Sequence, residues 1–238
     1  MNFQIKPKTF LKFNLIIILS LISIHIVVSF IDFYFGSYSL LPFGLFNLKK
    51  YFHLGLEDNI PTAYQGVMIF TSSILLFLLS SNAESKKNKL YFRSLSYLFF
   101  YMGWDELFSL HEQLIGPFRE LLNTSRYFYF AWVIPYGILI LIVALFVTNF
   151  IKSLPFRIRN IMFLSGIIYV SGELGFELLS GNIISLYEEG TFKQIHRFLY
   201  FFFTTTEESL GLLGILLFNY ALLSLLKMKN ARVQIKFL

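Results

Sequence analysis

The chain has 238 residues, of which 56% are hydrophobic and 14% charged, with 30 Phe, no Cys and a formal net charge of +6. A soluble domain carries about 25% charged residues, so an ordinary water-facing surface is excluded, and with it disorder, disulfides and thiolate chemistry. The positive balance does not point to nucleic acid, because the basic residues sit in short clusters between long apolar runs, where they orient membrane helices.

A hydrocarbon core about 30 Å thick needs roughly 20 apolar residues per helix. Six stretches qualify, so the expected fold is an all-α polytopic membrane protein forming one integral helical domain over residues 1–238. The first span, about 14–35, is too long for a signal-peptide core and no small-x-small cleavage site follows it, so it reads as a retained helix. The connection from Gly36 to Ile60 is apolar and aromatic, with Leu40, Leu41, Phe43 and Tyr51, and is expected to lie along the outer interface. Glu57-Asp58-Asn59 ahead of Pro61 is a helix-start signal for the second span, about 61–81. The third and fourth spans are expected at about 90–115 and 128–150, the fourth with a kink at Pro135. The fifth, about 159–180, and the sixth, about 196–226, complete the set, the sixth being longer than the bilayer is thick.

Lys and Arg assign the sides. Lys6, Lys8 and Lys12 precede the first span; Lys86, Lys87, Lys89 and Arg93 separate the second from the third; Lys152, Arg157 and Arg159 separate the fourth from the fifth; Lys227, Lys229, Arg232 and Lys236 follow the sixth. That places 14 of the 20 basic residues on one face, so both termini are expected in the cytoplasm and the chain in a bacterial inner (plasma) membrane.

The acids take the opposite side. Only Glu84 among the 14 falls in a cytoplasmic loop, and Asp105, Glu106, Glu112, Glu173, Glu177, Glu207 and Glu208 fall within the predicted spans, with Asp32 near the outer end of the first. At about 1.5 Å per residue, Asp105 and Glu173 lie roughly 21–22 Å above the cytoplasmic entry of their helices, and Glu207 lies roughly 16 Å below the outer entry of the sixth. Three helices thus bring carboxylates into one outer slab. At 100° per residue Asp105, Ser109 and Glu112 share a face, Glu173 and Glu177 form an i, i+4 pair, and His196, Tyr200, Phe203, Glu207, Gly211 and Gly214 form one stripe. Gly166, Gly172, Gly175, Gly211 and Gly214 are expected to let the fifth and sixth helices approach closely.

An unpaired Asp near the bilayer centre costs about 2.5–3.5 kcal/mol, and no Lys or Arg shares this depth. The cluster therefore needs protons, metal or a water-filled mouth. A divalent metal ion on Asp105, Glu112, Glu173, Glu177 and Glu207 is the expected cofactor. Glu106, His111, His196, Tyr200, Thr204 and Glu208 are additional candidates. The bland alternatives are a hydrated vestibule for the acids and a solvated rim position for His111. His25 reads as a buried histidine bonded to a neighbouring helix and His53 as a loop residue. Thr204-Thr205-Thr206 reads equally as back-bonded hydroxyls or as oxygen ligands. The Glu-x-x-His repeat of di-iron bundles is missing.

Three function classes follow: metal-dependent chemistry on a lipid-like or other amphiphilic substrate, cation- or proton-coupled transport, and a non-catalytic assembly or sensor role. In the cytoplasmic halves of the third, fifth and sixth spans, the stretches 95–100, 161–170 and 212–226 hold no ionisable acid or base except tyrosine. That favours a one-sided site over a transport path. The bilayer is the expected partner and nucleic acid is not.

Overall fold

In an apolar solvent every backbone N–H and C=O must be satisfied within its own segment, and the helix does this. The computed structural model describes residues 6–35 and 43–229, without the side chains of 32–35 and 43–47. Leu40, Leu41, Arg232, Lys236 and the side chains of Asp32 and Phe43 lie outside the described residues. The described chain is all-helical. In order it runs α1 (Pro7–Phe35), α2 (Phe43–Phe52), α3 (Ile60–Ser81), α4 (Lys86–Phe108), α5 (Ile115–Leu122), α6 (Val133–Ser153), α7 (Phe156–Val170), a π turn (Ser171–Phe176), α8 (Glu177–Glu188) and α9 (Gln194–Met228). Five helices are long and apolar enough to cross a membrane: α1, α3, α6, the continuous α7–π–α8 rod and α9. The helix α4 has the length, but its charged residues, Asp105 and Glu106 among them, break the apolar run.

The pillar is α9, which packs against α1, α3, α7 and α8. Of its apolar window 61% is buried, against 6% for α6. Asn219 ties it to α3, accepting from Ser72 Oγ at 2.9 Å and donating to the Met68 carbonyl at 2.8 Å. On the other side of α3, Ser73 and Ser96 exchange hydroxyl-to-carbonyl bonds with α4 at 2.8 and 2.9 Å. Phe92, Phe150, Ile158, Leu222 and Leu225 close the core at the end where α4, α6, α7 and α9 meet.

The expected close approach of the fifth and sixth spans is real, but three of the five glycines make it. A Cβ on Gly214 would stand 2.8 Å from the Tyr169 backbone, and one on Gly172 2.7 Å from the Glu207 carbonyl, while one on Gly211 would strike Glu173. Around Gly166 and Gly175 there is open space.

Three boundaries differ from the sequence expectation, each for a local reason. The third span stops at Phe108, not 115, because Ser109 takes a left-handed conformation (φ 46°) and caps the helix with its N–H on the Asp105 carbonyl. The fourth begins at Val133, so Pro135 falls in the first helical turn, where a missing N–H is tolerated, and it is not a mid-span kink. The fifth continues to Glu188 through the π turn, so Glu173 and Glu177 are not a plain i, i+4 pair. The second starts as expected, with the Asn59 side chain accepting from Thr62 N at 3.1 Å.

Candidate acidic site

The turn at Ser109 reverses the chain onto its own helix. His111 N donates to Asp105 Oδ1 at 2.8 Å, and His111 Nδ1 lies 3.4 Å from the same oxygen. Tyr136, in the first turns of α6, donates to Asp105 Oδ2 at 2.9 Å. Asp105 is thus buried and held by donors on both oxygens. His111 is its partner and does not occupy a solvated rim. Because the helix has ended, Glu112 no longer shares a face with Asp105; it stands exposed beside Glu57.

The π turn places Glu173 against α3 and α9. Its Oε1 accepts from Gln65 Nε2 at 3.0 Å. Gln65 is 2% exposed, and its Oε1 finds no donor among the described residues. Glu106 and Glu208 lie close enough to act electrostatically on Glu173 and on each other, and neither has a hydrogen-bond donor among the described residues. Glu106, Glu173 and Glu208 therefore stand within electrostatic reach of one another, with Gln65 Nε2 the one hydrogen-bond donor to them among the described residues.

One turn outward, Glu177 accepts from Trp132 Nε1 at 2.9 Å and from Ser180 Oγ at 3.4 Å, and the same hydroxyl lies 3.5 Å from Glu207 Oε2. The Glu177 and Glu207 carboxyls also meet each other, a contact that needs a shared proton or a cation. Tyr200 borders this pair. His196, three turns away, accepts from Lys193 N at 3.0 Å and closes a capping box at the start of α9, which is a structural task.

A loop, residues 53–59, covers the cluster. His25 is 1% exposed on α1; its Nδ1 accepts from Leu54 N at 3.1 Å and its Nε2 pairs with Thr205 Oγ1 on α9 at 3.0 Å. The His53 ring meets it edge-on, centroids 4.6 Å apart. Gly55 rests on the Thr204 methyl so tightly that no larger residue fits, and Thr206 bonds back to the Phe202 carbonyl at 2.7 Å. The triplet therefore divides into a packing methyl on Thr204, a bridging hydroxyl on Thr205 and a back-bonded hydroxyl on Thr206. The loop brings Glu57 toward Ser109 and Glu112, and burial, reinforced by the Glu112 charge, pushes its carboxyl above the ordinary value of 4.5.

Beside the cluster lies a cavity of about 1170 Å³ between α4, α6, α7 and α9. Asp105, Glu106, His111 and Glu173 line one end, and Lys152, Arg159 and Asn160 the other. Along it α6 is held by Trp132 and Tyr136 near one end and by Phe150, which stacks on Tyr91 and meets Phe92 edge-on, near the other. Among α6 residues only Val133 and Phe150 are buried.

Gln65, Trp132, Tyr136 and Ser180 were not singled out in the sequence, since a search for charged residues passes over the neutral donors that hold them. Among the described residues no three carboxylates or histidines enclose a metal-sized space as they are. No curated protein and no solved structure matches the chain. A family model does match, over residues 18–226, and the chain therefore belongs to the family described as a domain of unknown function, DUF8692.

Proposed function

We propose that this is a six-span membrane protein, with α4 as the sixth crossing and both termini cytoplasmic. In this reading it binds a divalent cation in its intramembrane carboxylate cluster and uses it on a lipid-like substrate that enters from the side. One observation carries the reading. Two carboxylates of the acidic group, Glu106 and Glu173, line one end of the apolar cavity shared with α6, with Glu208 within electrostatic reach of both. Oxygen donors without protons of their own suit a hard cation such as Mg²⁺, Mn²⁺ or Ca²⁺. Asp105, already holding His111 and Tyr136, would act as a positioning residue. Metal bound there would polarise a substrate oxygen or activate water, and the loop 53–59 would keep bulk water out from above.

The assay is a melting series of detergent-purified protein with Mg²⁺, Mn²⁺ or Ca²⁺ and with chelator, on wild type, Glu173→Gln and Glu207→Gln. A ligand that binds only the folded state raises stability with concentration. Wild type should melt higher with one of these metals, and Glu173→Gln should lose that shift. The Glu177–Glu207 contact favours a second reading, proton-coupled transport, in which protons neutralise the acids. A chelator-insensitive protein whose Gln variants melt higher would overturn the metal site and leave proton-coupled transport or a structural role, because a neutral amide avoids the cost of ionisation. Single cysteines in this Cys-free chain, labelled from outside intact cells, test the orientation; labelling near Lys87 or Lys229 would reverse it.

A further inference from the structure

We infer that the cavity between α4, α6 and α7 is a binding site for one acyl chain of an anionic phospholipid, with the lipid phosphate between Lys152 and Arg159. The two basic residues lie at the same mouth because α6 ends and α7 begins there, at Ser153 and Phe156. Neither is ion-paired among the described residues; the Arg159 guanidinium lies over the Phe156 ring, 5.1 Å from its centroid. Asn160 adds a neutral donor beside them. From this mouth the cavity runs past Val143, Phe163 and Gly166 to Glu173.

Dimensions and charge name the occupant. Arg159 and Glu173 are 14 residues apart on one rod, about 21 Å, while one leaflet fills about 15 Å, half of a 30 Å core. A chain whose headgroup sits at the basic mouth therefore reaches past the midplane toward the acids. The volume of about 1170 Å³ exceeds the roughly 300–1,000 Å³ of sites for drug-sized ligands. A basic mouth with no protein counter-charge selects a negative headgroup, and anionic lipids populate the cytoplasmic leaflet. The inference rests on the proposed orientation only for naming that leaflet; the binding itself does not depend on metal.

The test is a native-mass-spectrometry titration of detergent-purified protein, in chelator, with phosphatidylglycerol, phosphatidylcholine or glycerol phosphate. Wild type should take up one phosphatidylglycerol in preference to phosphatidylcholine and should ignore glycerol phosphate, which has no chain. The double variant Lys152→Ala/Arg159→Ala should bind phosphatidylglycerol about tenfold to thirtyfold more weakly and lose the preference. Gly166→Leu, which grows a side chain into the open space at that position, should block both lipids while leaving the basic mouth intact. Because the titration is run in chelator, its result stands whatever the fate of the metal site. Equal uptake of the two lipids by wild type, or an unchanged preference in the double variant, would overturn the assignment.

Discussion

One methyl group added at Gly214 should pry α7 away from α9. The new Cβ would lie 2.7 Å from Tyr169 Cβ and 2.8 Å from both its Cα and its N. Carbon atoms rest at about 3.5–4.0 Å, so the helices must part by about 1 Å, and two of the three offending atoms are backbone that no rotamer change can move. Overpacking of this kind costs about 1–3 kcal/mol, with backbone clashes toward the upper end. Gly166→Ala, on α7, is the matched control, because nothing stands within 4 Å of its Cβ. Both variants share the helix-propensity gain of Ala over Gly, about 1 kcal/mol, so their difference isolates the clash. We expect Gly214→Ala to melt below Gly166→Ala by about 2–3 kcal/mol, or about 4–12 °C at 2–4 °C per kcal/mol. Thermal unfolding in one detergent, followed by tryptophan emission, measures it. Melting points within a degree of each other would refute the close packing.

Two further outcomes follow from the loop over the site. Its raised carboxyl makes Glu57 lower stability as pH climbs from the ordinary glutamate value of 4.5 through the folded value, with no penalty in acid where both states are protonated. Glu57→Gln should therefore melt higher than wild type at pH 7–8, with the gap closing by about pH 4; a gap independent of pH would sink this account. Replacing His25 by Leu leaves the buried Leu54 N–H without its acceptor, at about 1–3 kcal/mol. The variant should melt lower and become cleavable by protease at residues 53–59, and full protection of the loop would show that His25 does not hold it.

Hydropathy made most of the helices legible because lipid leaves the backbone few options, and Asn59 with Pro61 marked a start by ordinary capping chemistry. Charge alone pointed to Glu173, Glu177 and Glu207, which stand near one another on the α7–π–α8 rod and on α9. What escaped was local. Nothing in Ser109 announces a left-handed residue, as a Gly would, so the reversal that delivers His111 to Asp105 was hidden. The π turn has no periodicity signature, and it changed which acid faces which. Trp132 went unmarked because its indole N–H matters only once Glu177 is known to lie opposite.

The π turn at Ser171–Phe176 also bears on how this rod tolerates change along its length. One surplus residue in a helical turn offsets everything beyond it by about 100° in phase. The lower segment is keyed to α9 at Tyr169 and Gly214, whereas the upper one is keyed to α5, where Glu188 takes a bidentate Arg119 at 2.9 and 3.4 Å. The wide turn works as a clutch between these two gears. Loss of a single codon there, for instance that of Gly175, whose surroundings are open, would lock them together. The rod would still be a helix of nearly the same length and hydropathy, yet Glu177, Ser180 and Glu188 would be turned away from their partners. Indels of one residue in this short window should therefore be far less tolerated than substitutions around it.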